Sequence, residues 1–84
     1  MTDKKTLRRP FSGQIWNKAA QIAAGYHYRV HMEDGGWFGS TVEMPLVMAG
    51  GNSASACIHR VQVATATAIA TMIQIGEDVP AASL

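Results

Sequence analysis

The chain has 84 residues, which allows one small domain. Apolar residues make up 48% of it and charged residues only 15%, so so small a domain cannot enclose all its apolar side chains, and a homo-oligomer (dimer or tetramer) is expected. The net charge of +1 by itself implies no polyanion partner, and the single cysteine, Cys57, rules out an intramolecular disulfide and a cysteine-based metal site within one chain.

Residues 1–11 read as a basic N-terminal arm and residues 12–84 as a single α+β domain. The arm carries Lys4, Lys5, Arg8 and Arg9, four of the seven basic residues, all ahead of Pro10. It is either a solvated terminus or a phosphate contact, because each neutralised phosphate releases counterions. It lacks the apolar segment of a signal peptide, which points to the cytoplasm.

Ser12 opens a helical pattern, SGQIWNKAAQIAAG, in which it is the N-cap and Gly25 the stop. Ile15, Trp16, Ala19, Ile22 and Ala23 form one apolar stripe, with Trp16 anchoring the helix on its own sheet or on a neighbouring subunit. From Tyr26 to Met32 the chain alternates. Tyr26, Tyr28, Val30 and Met32 take one face of a strand, and His27, Arg29 and His31 the other. Glu33-Asp34-Gly35-Gly36 is a tight-turn signal, because Asp-Gly tolerates positive φ. Trp37 to Val42 is the returning strand, Pro45 interrupts, and Leu46 to Ala49 is a third strand ended by Gly50 and Gly51.

A second helix is expected from Ala54 to Ile75, with Asn52 or Ser53 as N-cap and Gly76 as C-terminal stop. Cys57, Val61, Ala64, Ala68 and Ile75 are assigned to one face, and Ile58, Ile69 and Met72 widen it. Arg60 is the only charged residue in this helix. Such a helix needs cover on more than one side, and one small sheet supplies only one. Trp16, Ile58, Ile69 and Met72 are therefore the candidate oligomer interface. The uncharged run 61–76 falls short of the ~20 apolar residues of a membrane span, so no membrane role is expected.

Catalytic chemistry is poorly represented. Asp3, Glu33 with Asp34, and Glu77 with Asp78 fall in exposed-looking places, and Glu43 stands alone near Pro45. His27 and His31 sit ~13 Å apart along an extended strand, too far to share one metal ion. With Arg29 they offer hydrogen-bond donors to an anion or nucleic acid, or else form the wet side of an antiparallel sheet. His59 belongs to a polar helix face, and Cys57 to the apolar stripe, where a thiol behaves as a small hydrophobe. Gly50-Gly51 precedes a helix without a phosphate-loop motif. The expectation is no enzyme, no cofactor and no metal.

The succession Tyr28-Arg-Val-His-Met, Asp34-Gly35-Gly36-Trp37-Phe38-Gly39, Glu43-Met44-Pro45, Gly51-Asn52-Ser53, Cys57, Gly76 and Val79-Pro80 resembles the HicB antitoxin family over about residues 26 to 80. The resemblance implies a partial ribonuclease H-like fold: a three-stranded antiparallel sheet packed by a helix, without nuclease carboxylates. It also implies a partner, a small HicA-type toxin ribonuclease neutralised by covering its active surface. The chain departs from the pattern at Leu46, where the family has glycine, and at Asn52-Ser53, where it has Asp-Thr. The chain stops at Leu84, so it resembles a short form lacking the C-terminal DNA-binding domain. The alternative expectation is a nucleic-acid-binding regulatory oligomer that uses the basic arm.

Overall fold

A computed structural model describes residues 11–83, which form a helix, a three-stranded antiparallel sheet and a long second helix. Helix α1 spans Gly13–Ala24, and the Ser12 hydroxyl caps it by accepting the Ile15 N–H at 3.2 Å. Strand β1 (Tyr28–Glu33) turns through Asp34 and Gly35 into β2 (Gly36–Thr41). Both turn residues have positive φ, 51° and 78°, the backbone that a two-residue hairpin loop needs to match strand twist. The ladder runs from Glu33↔Gly36 to Tyr28↔Thr41.

Strand β3 is Met48–Gly51, two residues later than the sequence pattern suggests. Pro45 explains the shift. It lacks an N–H for a ladder and lies in a turn closed by the Val47 N–H on the Met44 carbonyl at 2.9 Å, with Leu46 projecting into solvent. Strand β3 pairs with β2 from Trp37↔Gly51 to Ser40↔Met48, so the order is β1-β2-β3.

Helix α2 spans Ala54–Ile75. Ser53 caps its start by accepting the Ala56 N–H, and Gly76, at φ 80°, ends it in the left-handed conformation, where the Glu77 N–H reaches the Met72 carbonyl at 2.8 Å. Among the described residues it is the one helix long and apolar enough to cross a membrane, a length that the uncharged run 61–76 alone does not reach.

At ~33 Å, α2 is longer than the sheet it covers. Its first half lies on the sheet through Cys57, Val61 and Thr65, all wholly buried. Its second half overhangs, and Ala66, Ile69 and Ala70 join Ala19, Ala23 and Tyr26 in a core shared with α1. Two expectations are corrected here. Helix α1 packs mainly on α2, meeting the sheet through the Tyr28 hydroxyl, which donates to the Ala23 carbonyl, and it supplies within the chain a second cover for α2. The buried stripe of α2 passes through Thr65 and Ile69, whereas Ile75 is 61% exposed. A threonine fits this stripe because its hydroxyl is satisfied: it donates to the Val61 carbonyl at 2.7 Å and lies 2.5 Å from the Thr41 hydroxyl.

The helix sits low on the sheet because glycines leave room for it. A Cβ on Gly39 would lie 2.9 Å from Val61 Cγ2 and 3.0 Å from Cys57 Sγ, and one on Gly51 would lie 2.8 Å from the Cys57 backbone nitrogen.

Candidate functional site

Alternation from Gly39 assigns the two faces of the sheet. Val30 and Thr41 share the side of Gly39, under α2, while Arg29, His31, Glu33, Phe38, Ser40, Met48 and Gly50 lie on the opposite side. No described element covers that opposite side.

A shallow groove of about 340 Å³ runs across it, lined by His31, Phe38, Gly39, Ser40, Met48, Ala49 and Gly50. Phe38 is 46% exposed and Met48 69% exposed, so two large apolar side chains stand in solvent beside each other's strands. The Phe38 ring lies over Gly50, its cross-strand partner, and near Gly36; a Cβ on either glycine would approach the ring within 3.9 Å. Ring burial against glycine is the sheet's substitute for a missing side-chain pair. The His31 ring is 6.0 Å from that of Phe38, and its Nε2 is 3.1 Å from the exposed Glu33 carboxylate. Arg29 is exposed on the same face and has no ion-pair partner among the described residues.

His27 is engaged elsewhere. It precedes β1, and its Nδ1 lies 2.9 Å from Glu43 Oε2. Its backbone N–H donates to Glu43 Oε1 at 2.9 Å, and the Ser83 N–H donates to Oε2 at 2.8 Å. Burial alone would push the Glu43 carboxyl up, but these three bonds, with its own backbone N–H, bring it down to about 2. The carboxylate is 1% exposed while the imidazole is 55% exposed. Glu43 thus ties the start of β1, the loop before β3 and residues 77–83 together. The Tyr26 hydroxyl adds a second tie by donating to the Pro80 carbonyl. A carboxylate holding an imidazole is a familiar way to orient a base, yet the hydrogen bonds of this pair go to backbone, not to a hydroxyl or thiol nucleophile. Among the described residues no three His, Cys, Asp or Glu side chains converge.

The remaining candidates fall in separate places. Lys4, Lys5, Arg8 and Arg9 lie outside the described residues. Phe11, assigned to the arm, is half-buried and stacks on Trp16 with ring centroids 6.4 Å apart, so the folded unit includes it. Trp16 packs against the α1–α2 core, and Ile58 and Met72 are half-buried. Ile69 is corrected outright as an interface residue: it is 0% exposed, enclosed by the chain's own core, and offers no surface to a partner. Cys57 is fully buried, its Sγ 3.5 Å from the Ala49 carbonyl. Sequence reasoning missed Met48 and Gly50 as surface residues because it placed β3 two positions early. The available signal was Pro45, followed by an alternation in which Met48 and Gly50 fall on the side of Phe38.

No family model matches the chain, and no curated protein or solved structure does.

Proposed function

We propose that this chain is a HicB-like antitoxin module, a cytoplasmic homo-oligomer that binds a small HicA-type toxin ribonuclease and neutralises it by covering its active surface. The ribonuclease H-like ancestry of the sheet and the absence of enzymatic activity belong to the same proposal. The observation that carries it is that seven of the residues bearing the family resemblance have a definite task in the αβββα architecture. Asp34 and Gly35 supply the positive φ of the hairpin, Gly39 and Gly51 admit α2, and Gly76 ends it. Glu43 clamps three segments, and Cys57 fills the space between helix and sheet. A set of motifs that jointly builds one frame is a stronger sign of kinship than the same motifs scattered over a surface.

The bare sheet face supports a macromolecular partner. Phe38, Met48 and His31 around a shallow groove are the kind of aromatic and methionine-rich patch that protein interfaces favour. The test is co-purification with a HicA-type toxin, comparing the wild type with Phe38→Asp. Capture by the wild type and loss in the variant, with the fold retained by circular dichroism, is the expected result. No capture of any such toxin by the wild type would remove the antitoxin function and leave the fold untouched.

A further inference from the structure

The hydrogen-bond parity of β1 leaves a free edge. Val42 donates its N–H to the His27 carbonyl at 2.8 Å, so the odd-numbered residues of β1 bond across to β2. The N–H and C=O groups of Tyr28, Val30 and Met32 then point away from the sheet, with no backbone partner among the described residues. The opposite edge is better protected. Strand β3 has only four residues, and the Gly50 carbonyl faces the Arg60 guanidinium at 3.5 Å. An unpaired six-residue edge is a template for another strand.

We propose that this edge pairs with the β1 edge of a second copy, antiparallel and two-fold symmetric about His31. Two registers near the strand centre satisfy the parity. One centres on Val30 and sets Arg29 against His31 of the partner subunit, a cation against an imidazole. The other centres on His31, sets Arg29 opposite Glu33 of the partner subunit at both ends, and sets Val30 opposite Met32 of the partner subunit. Both bring apolar side chains together, but only the second is complementary in charge. It gives the guanidinium of Arg29 the partner it lacks, engages a Glu33 carboxylate that is 64% exposed, and covers Met32, now 60% exposed. The product is a continuous six-stranded sheet. Because the two-fold axis is perpendicular to it, both α2 helices lie on one side and both Phe38 grooves on the other.

This pairing deepens the oligomeric part of the proposed function and is tested without a toxin. Sedimentation equilibrium over a concentration series should show a monomer–dimer equilibrium for the wild type. Arg29→Glu and Glu33→Arg each create two like-charge pairs and should weaken the dimer about tenfold or more. The double variant R29E/E33R should return to within about threefold of the wild type, because the charge pairs are restored with exchanged sign. Both residues are exposed, so circular dichroism should report an unchanged fold. Independently, His31→Cys should form a covalent dimer on mild oxidation, since opposed residues in a non-hydrogen-bonded pair have Cα atoms ~4.5 Å apart, within disulfide reach. A wild type that stays monomeric, a double variant no tighter than the single ones, or no cross-link at position 31 would overturn the pairing. Toxin binding by the Arg29→Glu protein is read separately, so failure of self-pairing and failure of the antitoxin role are told apart.

Discussion

Gly39→Ala tests how closely α2 rides on the sheet. The added methyl would lie 2.9 Å from Val61 Cγ2, 3.0 Å from Cys57 Sγ and 3.2 Å from the Arg29 carbonyl. Non-bonded heavy atoms prefer a separation of ~3.5–4.0 Å, so Val61 Cγ2 and Cys57 Sγ would have to retreat by roughly half an ångström or more and the carbonyl by a few tenths. None retreats easily. Val61 is stiff about χ1, both side chains are wholly buried, and the carbonyl is fixed in the β1–β2 ladder. Overpacking of this kind costs about 1–3 kcal/mol, which in a domain of this size lowers Tm by about 4–24 °C. Val61→Ala alone removes two buried methyl groups at ~0.8 kcal/mol each, plus a cavity term, and should cost about 2 kcal/mol. In the double variant the new methyl occupies the vacated space, so the two costs should fall short of additive by about 1 kcal/mol or more. Urea denaturation of the four proteins measures the coupling. Additivity within about 0.5 kcal/mol would refute the contact between Gly39 and Val61, since non-interacting sites behave in that way.

Other consequences are open to measurement. The Glu43 carboxyl ionises at about 2 in the fold against an ordinary 4.5, so its stabilising contribution is full above about 4.5 and is lost as pH falls toward 2. Tm followed from pH 6 to pH 2 should therefore fall less steeply for Glu43→Gln than for the wild type. The Thr65 hydroxyl donates to the Val61 carbonyl, so Thr41 donates to Thr65. Thr65→Val should cost about 1–3 kcal/mol in urea denaturation by leaving the Thr41 hydroxyl buried without a partner, and the double change T41V/T65V should recover part of that loss. Alanine should act oppositely at the two helix ends. Gly76→Ala forces a side chain to φ 80° and should lose about 1–2 kcal/mol, whereas Gly25→Ala, at φ −88° with its nearest neighbour at 3.5 Å, should gain about 0.4–1 kcal/mol.

Much of the frame was legible from residue pattern. Capping by Ser12 and Ser53, the Asp34-Gly35 turn and the stop at Gly76 are local chemistry, and local chemistry appears in sequence directly. Apolar periodicity located α2 but misassigned part of its buried face. Thr65 looks polar until Thr41, on a strand 24 residues earlier, completes its hydrogen bonding. The argument from α2 to another chain lost its premise for a similar reason, since α1 supplies a second cover. Residue pattern shows that α2 needs a second cover, but whether α1 or a subunit provides it depends on the overhang of a long helix past a short sheet. His27 and Glu43 likewise came together through the loop before β3, which no spacing rule relates to the start of β1. The bare face was partly visible: Phe38 and Gly50 alternate onto it once Pro45 sets where β3 begins.

RNA cleavage by a HicA-type toxin, followed while this chain is titrated in, tests the antitoxin function most directly. Cleavage that falls to background near one antitoxin chain per toxin, and returns when Phe38→Asp replaces the wild type, is the result expected. Cleavage that proceeds unchanged at a large excess of the folded wild-type protein would contradict it.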